Sequence, residues 1–191
     1  MKGILASKWH IIVIVLIFLA VYGVMQFSLQ SFKVEGQSME PSFHSDQYLV
    51  VDKFRYRLSS PGRGQVIVFH NPRAPDSAPL IKRIVGLPGE TVDIRGGYIY
   101  INGKLLQEDP EFAPIPHPGD CPMTLPENNY FVIGDNRANT TGSHIASVGP
   151  VPEDKIVGRV WICYWPTSEW GLSPGYSWTL EPAMTASMAF P

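Results

Sequence analysis

Two side chains in this sequence could do chemistry if folding brings them together. Ser38 lies in Gly36-Gln37-Ser38-Met39-Glu40-Pro41-Ser42, and Lys82 lies in Ile81-Lys82-Arg83-Ile84-Val85-Gly86-Leu87-Pro88-Gly89-Glu90. A serine hydroxyl is a poor nucleophile until a base takes its proton. A lysine pressed among apolar residues loses solvation, its pKa falls, and the neutral amine can be that base. Ser–Lys pairs are a known variant of the serine-hydrolase theme. Gly36 lets backbone approach closely, so main-chain N–H groups near Ser38 could hold an oxyanion. A third segment, Gly134-Asp135-Asn136-Arg137-Ala138-Asn139-Thr140, stands out beside these two. Each segment alone also has a plain reading: a turn serine, a solvent-facing strand lysine and a charged turn.

Other chemistries find less support. Of the five histidines, His10 opens an apolar run, while His44, His70, His117 and His144 have no recognisable partner motif. The G-x-S-x-G elbow of a Ser–His–Asp hydrolase is absent. No His, Asp or Glu spacing matches a ligand set, so no metal and no other cofactor is expected. A net charge of −2 gives no reason to expect nucleic acid. Cys121 and Cys163 lack C-x-x-C spacing and read as a loop thiol and a buried strand thiol, with a disulfide possible only outside the cytoplasm. Asn139-Thr140-Thr141 fits an N-glycosylation pattern that is common by chance.

The elements that must position Ser38 and Lys82 follow an anchor. Ile11–Met25 is an unbroken apolar run, extended by Trp9 and Phe27. At ~1.5 Å per residue, 9–27 can cross ~30 Å of hydrocarbon. Lys2 and Lys8 precede it, and the first acidic residue is Glu35. The positive-inside rule then keeps residues 1–8 in the cytoplasm and exports everything after 27. No good A-x-A site follows, so the run reads as an uncleaved single-pass anchor rather than a signal peptide.

With 191 residues, 45% apolar and 17% charged, the remainder is large enough for one folded domain. Seventeen glycines and eighteen prolines favour short strands joined by turns. Strands are expected at 47–51, 65–69, 80–86, 91–94, 98–101, 104–106, 130–133 and 156–164. Tyr98–Ile101, Asn102-Gly103 and Lys104–Leu106 form a strong hairpin signal, because Asn-Gly supplies both positive φ angles of a type I′ turn. Residues 107–127, rich in Pro, Glu and Asp, read as a surface excursion from a 28–165 exported domain. The tail 166–191 shows no period; its Trp170 and Trp178 could pack on the domain or touch the membrane.

Taken together, the anchor and the three segments, in this order, closely resemble the type I signal peptidases, the S26 family of serine proteases. The resemblance implies a mainly β, signal-peptidase/LexA-like catalytic domain behind one N-terminal transmembrane helix. It implies Ser38 as nucleophile and Lys82 as general base. It also implies Thr140 as the hydroxyl that bonds the lysine, Arg83 and Asp135 as a supporting ion pair, and Gly36 at the oxyanion position. Phe32, Val34, Met39, Leu80 and Ile81 would wall shallow pockets for small side chains. Exported preproteins with small-x-small leader ends would be the partners, at the surface of the lipid bilayer, in the cytoplasmic membrane. The chain departs from the family pattern at Gly142, where Asp is usual, at His144, where Arg is usual, and at Gln65, another usual Asp. The first two changes remove a second supporting ion pair. Two other readings fit the sequence less well: a non-catalytic tethered β-domain, which leaves both Ser38 and Lys82 without purpose, and a self-cleaving repressor, which needs a DNA-binding domain where the anchor stands.

Overall fold

The computed structural model describes the backbone of residues 2–108, 111–176 and 178–182; the side chains at 2–8, 20–21, 24–27 and 182 lie outside the described residues. The expected flanking roles of Lys2, Lys8 and Phe27, and the tail beyond 182, therefore fall outside them too. The apolar run forms one helix, α1 (Lys2–Ser28). From Trp9 to Leu19 every side chain is exposed, Ile14 at 64% and Phe18 at 70%, so no other described element covers them. Among the described residues no helix is long and apolar enough to cross a membrane; the uninterrupted described stretch is 9–19.

The rest of the chain is mainly β, as expected. Strand β1 (Leu29–Lys33) continues directly from α1 and pairs antiparallel with β2 (Tyr48–Asp52). A single helical turn, α2 (Arg55–Leu58), leads to β3 (Val66–Phe69) and β4 (Leu80–Gly86). Then come β5 (Thr91–Arg95), β6 (Tyr98–Ile101), β7 (Lys104–Gln107), the two-residue β8 (Met123–Thr124) and β9 (Asn129–Ile133). The short β10 (Val151–Pro152), the long β11 (Ile156–Trp165), β12 (Gly171–Leu172) and β13 (Thr179–Pro182) complete the described strands. The expected strand at 80–86 and the expected start and end of 98–101 match; most others differ by one residue at an end. At the β6–β7 turn Asn102 and Gly103 take φ values of 52° and 78°, the conformation that Asn-Gly was expected to supply.

Among the described residues the strands form two sheets. One runs β1-β2-β11-β3-β4-β9-β10 with β12 on β11, the other β13-β7-β6-β5-β8. Their period-2 alternation sends apolar residues to both sides of β4 and β9. Ile84, Tyr130 and Val132 join one cluster with Ile67 and Phe69, while Val85, Phe131 and Ile133 join the β5–β7 cluster. A third cluster around Val34, Met39, Phe43, Leu49, Val51 and Ile81 ties the Ser38 turn to β2 and β3.

Two regions differ from a plain surface reading. The 107–127 excursion buries Ile115 and Leu125 and lays β8 beside β5. Residues of the tail pair as β12 with β11 and as β13 with β7. Trp178 packs on the β5–β7 cluster, whereas Trp170 is 72% exposed. Cys163 is buried on β11, Cys121 is half-buried, and both are free thiols.

Candidate active site

Strand β4 presents Lys82 and Arg83 to opposite faces of the sheet. In register with it are Ile67 of β3 opposite Lys82, and Val132 of β9 opposite Ile84. Strand β9 ends at Ile133, opposite Arg83. The Leu80–Lys82 end of β4 therefore has a strand neighbour on one side only, and a cleft opens there.

Ser38 is held over that cleft by a loop with buried roots. Met39 and Phe43 are buried in the core, and the Phe43 N–H donates to the Met39 carbonyl (2.9 Å). The loop is stitched to the third segment as well. The Asn136 N–H donates to the Ser38 carbonyl (3.1 Å), and the Asn136 side-chain amide donates to the Gln37 carbonyl (3.1 Å). Gly134 is needed at this crossing. A Cβ there would stand 2.1 Å from the Ser38 carbonyl oxygen and 2.3 Å from Thr140 Oγ1, closer than real atoms come. Gly36 takes φ +81°, a left-handed turn that glycine adopts at no steric cost.

Lys82 Nζ lies 2.5 Å from Ser38 Oγ and donates to it. The lysine is only 3% exposed. Burial lowers its pKa from an ordinary 10.5 to about 8, against a weaker upward pull from the Asp135 carboxylate. Leu80, Ile67, Ile84 and Val132 belong to the apolar cluster on its face of the sheet. Ile133 does not; it faces the other side with Val85, because alternate residues of β9 point opposite ways. Met39 likewise belongs to the cluster of Val34 and Ile81.

Arg83 makes a different set of contacts. Its Nε and Nη2 donate to both oxygens of Asp135 (2.8 and 2.6 Å). Nη1 donates to the carbonyls of Gly64 (2.7 Å) and Pro174 (2.8 Å), and Nη2 to Ser42 Oγ (3.2 Å). The Tyr176 ring covers the guanidinium at 4.6 Å. Both charged side chains of the Arg83–Asp135 pair are 0% exposed.

The cleft has a volume of about 490 Å³ and is lined by Glu35–Ser38, Leu80, Lys82, Pro116, His117, Arg137–Thr141 and His144–Ile145. Of the five apolar residues expected to wall small pockets, Leu80 lines the cleft; Phe32, Val34, Met39 and Ile81 pack together beneath it. Thr140 is in the cleft with Lys82, but its hydroxyl accepts the Gly134 N–H (3.1 Å) and donates weakly to the Thr141 carbonyl (3.4 Å) rather than bonding the lysine. A Cβ on Gly142 would meet the Val132 carbonyl at 2.6 Å, so an aspartate does not fit this backbone.

The residues 7–165 match the family model described as "Signal peptidase, peptidase S26". This chain belongs to that family. A "Probable signal peptidase I-2" of Synechocystis is 38% identical over 155 residues, covering 78% of this chain and 69% of the relative. A "Signal peptidase I" of Leptolyngbya laminosa is 35% identical over 165 residues, covering 81% and 79%. A crystal structure of a signal peptidase I from Enterococcus faecalis, 31% identical, aligns with a TM-score of 0.45 over 53% of this chain and 97% of that one. The activity of an S26 signal peptidase is that of a serine endopeptidase that removes signal peptides.

The sequence did not reveal which residues complete the site from outside the three segments. Glu108 binds Arg137, Pro174 and Tyr176 close over Arg83, and Pro116 and His117 edge the cleft. All come from the excursion or the tail, where no period or motif marked them. The one available signal was Arg137 itself, a cation in an otherwise small, tight motif that needs a carboxylate when buried.

Proposed function

We propose that Ser38 is the nucleophile and Lys82 the general base of this signal peptidase, cutting exported preproteins after small-x-small leader ends. The observation that carries it is the 2.5 Å approach of Lys82 Nζ to Ser38 Oγ, on a lysine whose only hydrogen-bond partner among the described residues is that serine. Neutral Lys82 takes the Ser38 proton as Oγ attacks the scissile carbonyl; the lysine then protonates the leaving amine and activates water for deacylation. The Ser38 N–H donates to no partner among the described residues, so it is available to the oxyanion. Arg83 and Asp135 support the floor of the site and Thr140 its far bank.

The leader's extended end adds as a strand to the free edge of β4 at 79–81 and to the chain at 32–35, as β-augmentation. Leu80 gives that groove an apolar wall, while Phe32, Val34, Met39 and Ile81 pack together and shape it from the core side. Helix α1 is read as the single-pass anchor over 9–27, with residues 1–8 in the cytoplasm and the 28–165 domain on the extracytoplasmic face of the cytoplasmic membrane. Its uncovered apolar side chains support that reading. The bilayer then presents both enzyme and leader in one plane. The chemistry needs no metal or cofactor.

The deciding experiment is cleavage of a preprotein in detergent micelles by the wild type and by Ser38→Ala. The wild type should release the leader and Ser38→Ala should not. Equal cleavage by both would remove Ser38 from the mechanism.

A further inference from the structure

Residues 111–120 are tied to the catalytic segment at two points. The first is Arg137, on whose guanidinium Phe112 lies and whose Nη1 and Nη2 donate to the two carboxylate oxygens of Glu108, a residue preceding 111–120, at 2.7 and 2.5 Å. The Arg137 side chain is 1% exposed and that of Glu108 15%. The Phe112 ring lies 4.8 Å from the same guanidinium and meets Tyr176 edge-on at 5.2 Å. The second point is His144, whose carbonyl accepts the Asp120 N–H at 2.7 Å. Gly119 is pressed so close that a Cβ would stand 1.8 Å from that carbonyl oxygen. Between the two ties, Pro116 and His117 reach the cleft shared by Ser38 and Lys82.

We propose that Glu108 is a positioning residue: by clamping Arg137, on which Phe112 lies, it fixes 111–120 as one wall of the cleft, where Pro116 and His117 bear on the substrate chain. A buried guanidinium with its carboxylate removed is left uncompensated, which strongly disfavours its place in the fold. Ser38 and Lys82 are held by other contacts: Asn136, the Met39 root and strand β4. Loss of the clamp therefore weakens substrate binding and leaves the chemical step in place. The inference rests on the signal-peptidase reading of this cleft.

The test uses the full-length protein in detergent with a synthetic peptide spanning a leader end, alanine at the first and third positions before the cut. Wild-type turnover, absent in Ser38→Ala, establishes the underlying reading separately. Glu108→Gln should then raise KM about five- to tenfold with kcat within about twofold, because uniform binding and not transition-state contact is lost. Glu108→Asp, which keeps the charge, should recover most of the KM. His117→Ala should raise KM about threefold or more without lowering Tm, since it removes wall and not clamp. A wild-type KM in Glu108→Gln overturns the proposal. So does a fall in kcat that tracks Tm equally in Glu108→Gln and Glu108→Asp, which marks a fold-wide role. Should Glu108→Gln fail to fold, His117→Ala and Pro116→Gly decide: a raised KM in either supports the wall, and an unchanged KM in both overturns it.

Discussion

Lys82 and Arg83 are adjacent on one strand, both are buried cations, and their surroundings are opposite. Five acceptors meet the Arg83 guanidinium, two of them the oxygens of Asp135, and an aromatic ring covers its face. Lys82 meets one serine hydroxyl and an apolar wall. A buried charge keeps its proton when partners replace the water it lost; without them the neutral form gains. The strand's alternation puts the two outcomes one residue apart. One face builds a permanent cation that locks segments together, and the other builds a titratable amine beside a nucleophile. Asp135 connects them, since its carboxylate binds Arg83 and also raises the Lys82 pKa.

The largest effect that sharpens this contrast is on rate. Lys82→Met should cost about three orders of magnitude or more in kcat, as loss of a base does in other serine hydrolases. Lys82→Arg should fail as badly, because a guanidinium does not give up its proton at working pH. Arg83→Lys should keep measurable turnover, since the chemistry does not pass through that face. Steady-state cleavage of one peptide by all three variants checks the set. Near wild-type turnover in Lys82→Arg would break the assignment of the base.

The same pair of sites should show opposite signs in stability. Arg83→Met leaves Asp135 buried without its partner and should destabilise the fold by about 3–5 kcal/mol. Lys82→Met should do the reverse. The folded pKa of about 8 lies below the unfolded value of 10.5, so the unfolded chain binds more protons between those values. Native stability therefore rises with pH across that window, and the penalty on Lys82 is complete below it. That penalty is about 3 kcal/mol, so at pH 7 Lys82→Met should gain about 1–3 kcal/mol after packing differences. The gain should shrink as pH approaches 10.5. Denaturant unfolding of both variants at two pH values measures it.

How much of this was legible in the sequence divides along the same line. Ser38, Lys82, Arg83 and Asp135 sit in compact segments, and the alternation of β4 already implied that Lys82 and Arg83 face apart. The hairpin at Asn102-Gly103 was equally legible, because its turn chemistry is local. Strand β1 was not, as LQSFK has neither an apolar run nor clean alternation and is a strand only because β2 lies beside it. Glu108, Phe112 and Tyr176 were invisible for a related reason. They act by long-range contact from segments whose composition resembles loop, and nothing local distinguishes a loop that caps an arginine from one that does not. The bond expected between Thr140 and Lys82 was a family inference; here the hydroxyl turns to Gly134, which the tight crossing under Ser38 leaves in need of an acceptor.

A smaller effect concerns pH and activity. With Lys82 as base, the acidic limb of kcat/KM should have its midpoint near pH 8, the value burial gives the lysine. Leu80→Ser or Val132→Thr wets one part of its wall, favours the ammonium form and should move the limb upward by about half a unit to one unit. Ile133→Thr, on the opposite face, should leave the limb where it is. A limb that ignores all three variants would show that these side chains do not tune the base.

The smallest expected effect decides what Thr140 does. If its hydroxyl serves the Gly134 N–H, Thr140→Val leaves that donor without its acceptor and should cost about 1 kcal/mol of stability. Gly134 lies against the Ser38 carbonyl, so a small displacement there should reach the nucleophile and lower kcat about two- to tenfold. The acidic limb should stay near pH 8, because nothing bonded to Lys82 has changed. Thr140→Ser keeps the oxygen and should restore both rate and stability. If the hydroxyl instead turns to Lys82 once substrate is bound, Thr140→Val removes a polar neighbour from the lysine, and the limb of the kcat profile should move while that of kcat/KM does not. The two profiles, measured side by side on the valine and serine variants, separate a threonine that steadies the serine loop from one that orients the base.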